Sequence, residues 1–131
     1  MTEPKTQGLI RWGKYVHPRI TGGLLLCVAF FGLITFSNIF AAYDALTQQA
    51  SSSVIFRIGA ILLYAIPAVG IFRLMPWARH FGFILASIVC IFGAFTAVFI
   101  SMEDGLFMII THGLIVYCLV SAKSKAAFAN Q

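Results

Sequence analysis

The chain has 131 residues, enough for one domain, of which 60% are hydrophobic and only 10% charged. A water-soluble domain carries about 25% charged residues to cover its surface, so this composition excludes a soluble globular protein and leaves the lipid bilayer as the solvent. The formal charge of +5 is spread one or two residues at a time around apolar runs; without a dense patch it argues against nucleic acid and reads as a topology signal.

Residues 1–8 are polar. In residues 9–16, Leu9, Trp12 and Val16 fall at helical spacing with Arg11 and Lys14 off that face, which suits either a short helix lying in the membrane interface or a basic flank of the first span. His17-Pro18 breaks the pattern, and proline is well placed to start a helix. The first span is expected from about Ile20 to about Tyr43. Its apolar part is longer than a signal-peptide core of about 7–15 residues, and no good cleavage site follows, so it reads as a retained helix. Asp44 to Ser53 reads as a polar loop, with Ser53 as the N-cap of the next helix.

The second span is expected from about Val54 to about Met75, with Arg57 near its start, Tyr64 near its middle and Pro67 placed to kink it. Arg73-Leu74-Met75-Pro76-Trp77-Ala78-Arg79-His80 is the one basic, turn-forming interruption in the middle of the chain. Pro76 suits the first position of a helix, and Trp77 suits the headgroup level. The third span is expected over about 77–100. Within it Gly82, Ala86, Cys90 and Ala94 recur every four residues, with Gly93 and Ala97 alongside, a small-residue stripe of the kind that lets helices approach closely in lipid. Ser101 to Gly105 forms a short acidic turn. The fourth span is expected over about 106–121, only just long enough for a hydrocarbon core of about 30 Å, and Lys123 and Lys125 end it before a polar tail.

Counting cations orients the chain. Lys5, Arg11, Lys14, Arg19, Arg73, Arg79, Lys123 and Lys125 all fall on one side, and Arg57 alone lies toward the other, with Asp44, Glu103 and Asp104. Positive residues stay in the cytoplasm, so both termini are expected there, with the protein in the bacterial inner membrane. Short loops make consecutive helices antiparallel neighbours. The expected fold is therefore all-α: a single integral membrane domain over residues 1–131, a four-helix transmembrane bundle in up-down-up-down order.

Three polar residues inside the spans are candidates for chemistry. His112 lies about 9 Å below the nearer boundary at 1.5 Å per residue; it could relay a proton, hold a metal or haem, or bind a polar substrate. The alternative is a neutral imidazole hydrogen-bonded to Tyr64, Thr96 or a backbone carbonyl, since a histidine costs far less to bury neutral than charged. A haem held by two histidines needs a second one at matching depth, and His17 and His80 sit at the opposite edge. Arg57 could draw an anion into a vestibule, or snorkel outward to pair with Asp44, Glu103 or Asp104. Tyr64 with Pro67 could mark a broken helix lining a cavity, or a packed kink. Thr35, Ser37 and Asn38 read as contacts between helices. Cys27, Cys90 and Cys118 each lie in an apolar run and read as small buried hydrophobes.

No carboxylate falls inside a span, and no HExxH, GxSxG, P-loop or CxxC is present. The size is similar to that of small multidrug transporters, but those need an acidic residue in the first helix. It is also similar to that of fluoride channels, but those insert in both orientations. The order Leu74-x-x-Trp77-Ala78-Arg79-x-x-Gly82-x-x-Leu85-Ala86 between apolar spans resembles small bacterial four-span inner-membrane proteins in which a W-A-R turn opens the third helix. That resemblance implies a fold and a compartment, and no activity. The sequence therefore points first to a non-enzymatic accessory subunit, without cofactor or metal, that packs through the third-helix stripe with itself or with another membrane protein. The alternatives are a transporter or channel component with Arg57, Tyr64 and His112 around a shared cavity, and a membrane enzyme or redox subunit using His112.

Overall fold

Four apolar stretches form four helices of 26, 22, 24 and 19 residues. In a computed structural model, which describes residues 20–48 and 51–129, these are α1 (Gly22–Thr47), α2 (Ser51–Phe72), α3 (Pro76–Phe99) and α4 (Met102–Val120), followed by a short α5 (Ala122–Ala129). At 1.5 Å per residue the four long helices run about 29–39 Å, and each is long and apolar enough to cross a bilayer. The all-α four-helix bundle expected from the sequence is what forms. The interfacial segment expected at residues 9–16 lies outside the described residues.

The helix ends follow local chemistry. Thr21 caps α1, its hydroxyl accepting from the Leu24 N–H at 3.4 Å. The expected polar loop from Asp44 to Ser53 is mostly helix: α1 runs on to Thr47, α2 starts at Ser51, and Ser53 sits inside its first turn instead of capping it. Polar side chains at the end of a span can stay helical because they satisfy their own turns. Thr47 donates to the Asp44 carbonyl at 2.7 Å, and the Gln48 side chain donates to the Asp44 carboxylate at 2.9 Å. Likewise α4 begins four residues earlier than expected. Ser101 caps it, accepting from the Asp104 N–H, and Glu103 and Asp104 occupy the first turn, where their charge complements the helix dipole.

The turn between α2 and α3 is built as a Schellman closure. The Leu74 N–H donates to Ile71 O at 2.9 Å and the Met75 N–H to Gly70 O at 2.8 Å. The left-handed residue this closure requires is Leu74, with φ 56°, where glycine is usual. Pro76 then opens α3 as expected. Pro67 is buried inside α2, which continues past it to Phe72.

The tail expected after Lys123 is instead α5. Ser121 breaks α4, and Ser124, fully buried, donates from its hydroxyl to the Cys118 carbonyl left open at the helix end. This turn lays Ala127 and Phe128 into the core.

The bundle consists of two hairpins, α1–α2 and α3–α4, packed more closely within themselves than against each other. The shared core comprises Leu24, Cys27, Phe31, Ala68, Ile71, Leu74, Ala78, Ala86, Ile115 and Leu119 with the two α5 residues. All lie in the half that carries the Leu74 turn. Toward the Ser101 end the buried residues are Ala42, Ala45, Gly93 and Gly105. Gly93 and Gly105 hold α3 against α4. A Cβ on Gly93 would sit 3.0 Å from Met108 Cβ, and one on Gly105 would overlap the Ala97 backbone.

The small-residue stripe is directed inward. Gly82 faces Leu119, Ile71 and Phe31, Ala86 is fully buried, and the Cys90 thiol reaches Ile109 O at 3.9 Å. Ala94 is exposed. A four-residue step advances about 40° beyond a full turn at 3.6 residues per turn, so by Ala94 the stripe has rotated away from α4. Gly93 and Ala97 take over the seam. Gly82 and Ala86 therefore serve this chain's own packing, Cys90 is half-buried beside α4, and Ala94 stays on the surface.

Candidate functional site

The polar centre of the molecule is a pair of side chains from α2 and α4. Because α4 starts at Met102, His112 lies ten residues in, about 15 Å along a helix of about 29 Å, near mid-span and deeper than the sequence suggests. It is 5% exposed, and both ring nitrogens have partners. Nδ1 lies 3.1 Å from Met108 O, a carbonyl that can only accept, so Nδ1 carries the proton. Nε2 is then the acceptor and receives the Tyr64 hydroxyl at 3.4 Å. One neutral tautomer satisfies the whole arrangement, and among the described residues no buried side-chain N or O lacks a partner.

Aromatic rings enclose the pair. Phe30 meets the imidazole edge-on at 5.1 Å between centroids, and Phe31 packs at 5.9 Å from the Tyr64 ring. Phe31 is fully buried in the core and Phe30 packs against it. No cue to these two rings is legible in the sequence, since phenylalanine in an apolar run carries no mark distinguishing inward from outward. Adjacent residues on a helix diverge by about 100°; here that divergence lets one ring cover His112 and the other cover Tyr64.

Beyond Phe30 lies a groove between α1 and α4, about 360 Å³, lined by Leu26, Ala29, Leu33, Leu114 and Ile115 with Thr111. Thr111 donates its hydroxyl to Phe107 O at 2.7 Å, so the groove offers an acyl chain or an apolar side chain little but hydrocarbon.

Arg57 is elsewhere. It is exposed on the perimeter of the α1–α2 hairpin, and its guanidinium donates to Asn38 Oδ1 at 3.2 Å. Asn38 in turn donates to Ile34 O at 2.9 Å. The expected carboxylate partners are not used: Asp44 accepts from Gln48, and Glu103 and Asp104 start α4 on the other hairpin. A cavity of about 220 Å³ holds Arg57 with Ser52, Ser53 and Phe56, and His112 takes no part in it. Among the described residues the structure thus joins Tyr64 and His112 and places Arg57 in a cavity without them, where the transporter reading expects one shared vestibule. Among the described residues no three His, Cys, Asp or Glu side chains converge as a metal-ligand group.

Compared with protein-family models, curated proteins and solved structures, the chain matches none.

Proposed function

We propose that the chain is a non-enzymatic inner-membrane protein, basic end in the cytoplasm, that works by lateral association with further copies of itself. The observation that carries this is Arg57: a cation inside an apolar span, exposed on the perimeter, whose partner among the described residues is a neutral amide. A charge in that position favours a carboxylate. In a parallel neighbour, Glu103 and Asp104 stand exposed at the same end of the bundle in the first turn of α4, and Arg57 lies six residues, about 9 Å, inside α2, so a guanidinium that snorkels outward meets the complementary charges of a second copy. The Ser101-end half suits such contact because its hairpins share none of the large buried core. With Gly82 and Ala86 committed inside the chain, Ala94 is the stripe residue left on the surface. The Tyr64–His112 pair, closed and saturated, supports a structural role for these residues.

The test is self-association of the protein purified in mild detergent, followed by crosslinking and sedimentation. Oligomers are expected, weakened by Arg57→Gln. Arg57→Glu should abolish them, and mixing it with a Glu103→Arg, Asp104→Arg chain should restore them. A protein that is monomeric in several mild detergents and in nanodiscs would sink the proposal. Ala86→Leu would disrupt the core and is unsuited to this test. Ala94→Leu reports on the surface alone.

A further inference from the structure

The break at Ser121 has a consequence at the opposite end of the molecule from Arg57. By turning α5 back across the bundle it sets Lys125 beside the first turns of α3, and together they form a cavity of about 220 Å³ lined by Arg79, His80, Lys125, Phe83, Leu119 and Val120. The cations come from two different helices. His80 commits Nδ1 to Pro76 O at 3.1 Å, which leaves Nε2 to face outward. The described carboxylates, Asp44, Glu103 and Asp104, all lie at the other end, so none is near enough to neutralise this site. Phe83 is one turn beyond Arg79 on α3, about 6 Å deeper along the helix axis, and Leu119 is fully buried beneath it. The cavity therefore has a basic rim at the depth of Trp77 and the helix ends, and a hydrocarbon floor.

We propose that this cavity is a binding site for one anionic phospholipid, its phosphate held between Arg79 and Lys125 with His80 at the edge, its first methylenes lying on Phe83 and Val120. Free phosphate would satisfy the rim and leave the floor empty; a phospholipid fits both. A zwitterionic lipid brings its own cation against Arg79 and Lys125, which disfavours it. Basic pockets between helices at a membrane surface are suited to anionic headgroups. The site belongs to a single copy of the chain, so it does not depend on self-association.

Native mass spectrometry of the full chain from detergent micelles doped with phosphatidylglycerol or phosphatidylcholine tests this. The expected result is one retained phosphatidylglycerol at concentrations where phosphatidylcholine is lost. Arg79→Gln with Lys125→Gln should weaken retention about tenfold or more. Arg73→Gln with Lys123→Gln, which removes the same net charge outside the cavity, should leave it unchanged. Arg79→Lys with Lys125→Arg, keeping both charges, should retain binding. Equal losses in the two neutralised pairs would overturn the proposal, because binding would then follow net charge alone. So would undiminished retention in the cavity pair, or displacement of the lipid by millimolar inorganic phosphate.

Discussion

Leu74 holds a left-handed backbone conformation, φ 56°, while its side chain is fully buried in the core. For a residue with a Cβ that conformation costs about 1–2 kcal/mol, and here packing offsets it. Truncation should therefore reverse the usual order of small residues. Leu74→Ala loses the packing and keeps the strain, whereas Leu74→Gly loses the packing and relieves it. We expect Leu74→Gly to be the more stable of the two by about 1 kcal/mol, measured by denaturant titration in micelles; at ordinary helical positions alanine wins by a similar margin. The Tyr64–His112 bond makes a second prediction at this scale. In a double-mutant cycle with Tyr64→Phe and His112→Ala, the coupling should fall near the membrane range of about 0.6–1.7 kcal/mol. A coupling indistinguishable from zero would mean that the 3.4 Å contact carries no energy. Both residues stand out in the sequence because a polar group in an apolar span must find a partner, and burial makes that requirement strict. Arg57 stands out for the same reason. Its partner is not legible there, because an exposed guanidinium near a helix end can be satisfied by a nearby amide such as Asn38.

Within the elements, the closest approach is between α3 and α4. A Cβ on Gly105 would strike the Ala97 backbone, which cannot swing aside, while Gly113 on the same helix has open space around it. Gly105→Ala should destabilise by about 1–3 kcal/mol, and Gly113→Ala should be neutral or mildly stabilising. Equal effects would contradict the seam. The α1–α4 contact can be checked through thiols. Cys27 and Cys118 lie on either side of it: Cys118 Sγ packs beside Gly23, one helical turn from Cys27 on α1. Copper phenanthroline, as the oxidant, should join them by taking two electrons and two protons, reducing the thiols titratable after denaturation from three to one, without dimers. The number and order of the four spans are legible from hydropathy alone. The ends are less so, because polar residues at the edge of a span read as loop whether or not their side chains close a helical turn. Ser101-Met102-Glu103-Asp104 carries the S-x-x-[DE] capping signature, enough to start α4 four residues earlier. For α5 no such cue was strong. Its Ala-Lys-Ser-Lys-Ala-Ala-Phe-Ala run is weakly amphipathic, and only the Ser124 bond to the end of α4 and the core beneath Phe128 make it a helix.

For the whole molecule, charge and packing divide along the same axis. The half with the Leu74 turn holds Arg73, Arg79, Lys123 and Lys125, the shared core and α5; the other holds Asp44, Glu103, Asp104 and Arg57, with its hairpins less joined. The charge segregation was legible in the sequence because a short-looped bundle places alternate loops at the same end. The packing segregation was not, since all four spans are similarly apolar and no local pattern states which half of a helix meets its diagonal neighbour. The proposed orientation, basic end in the cytoplasm, draws on both asymmetries. Each Lys or Arg held on the cytoplasmic side opposes inversion, and an inverted chain would need to carry its basic end, with the docked α5, across the bilayer. On a background with all three cysteines replaced by alanine, Glu103→Cys should react with a membrane-impermeant maleimide applied to intact cells, and Lys123→Cys should react only after the inner membrane is opened. Replacing Arg73, Arg79, Lys123 and Lys125 together with glutamine should make the pattern mixed, because the N-terminal cations would then act without their support. Labelling of both positions in intact cells by the parent chain would mean dual insertion, and the parallel neighbours that bring Arg57 to Glu103 and Asp104 would lose their basis.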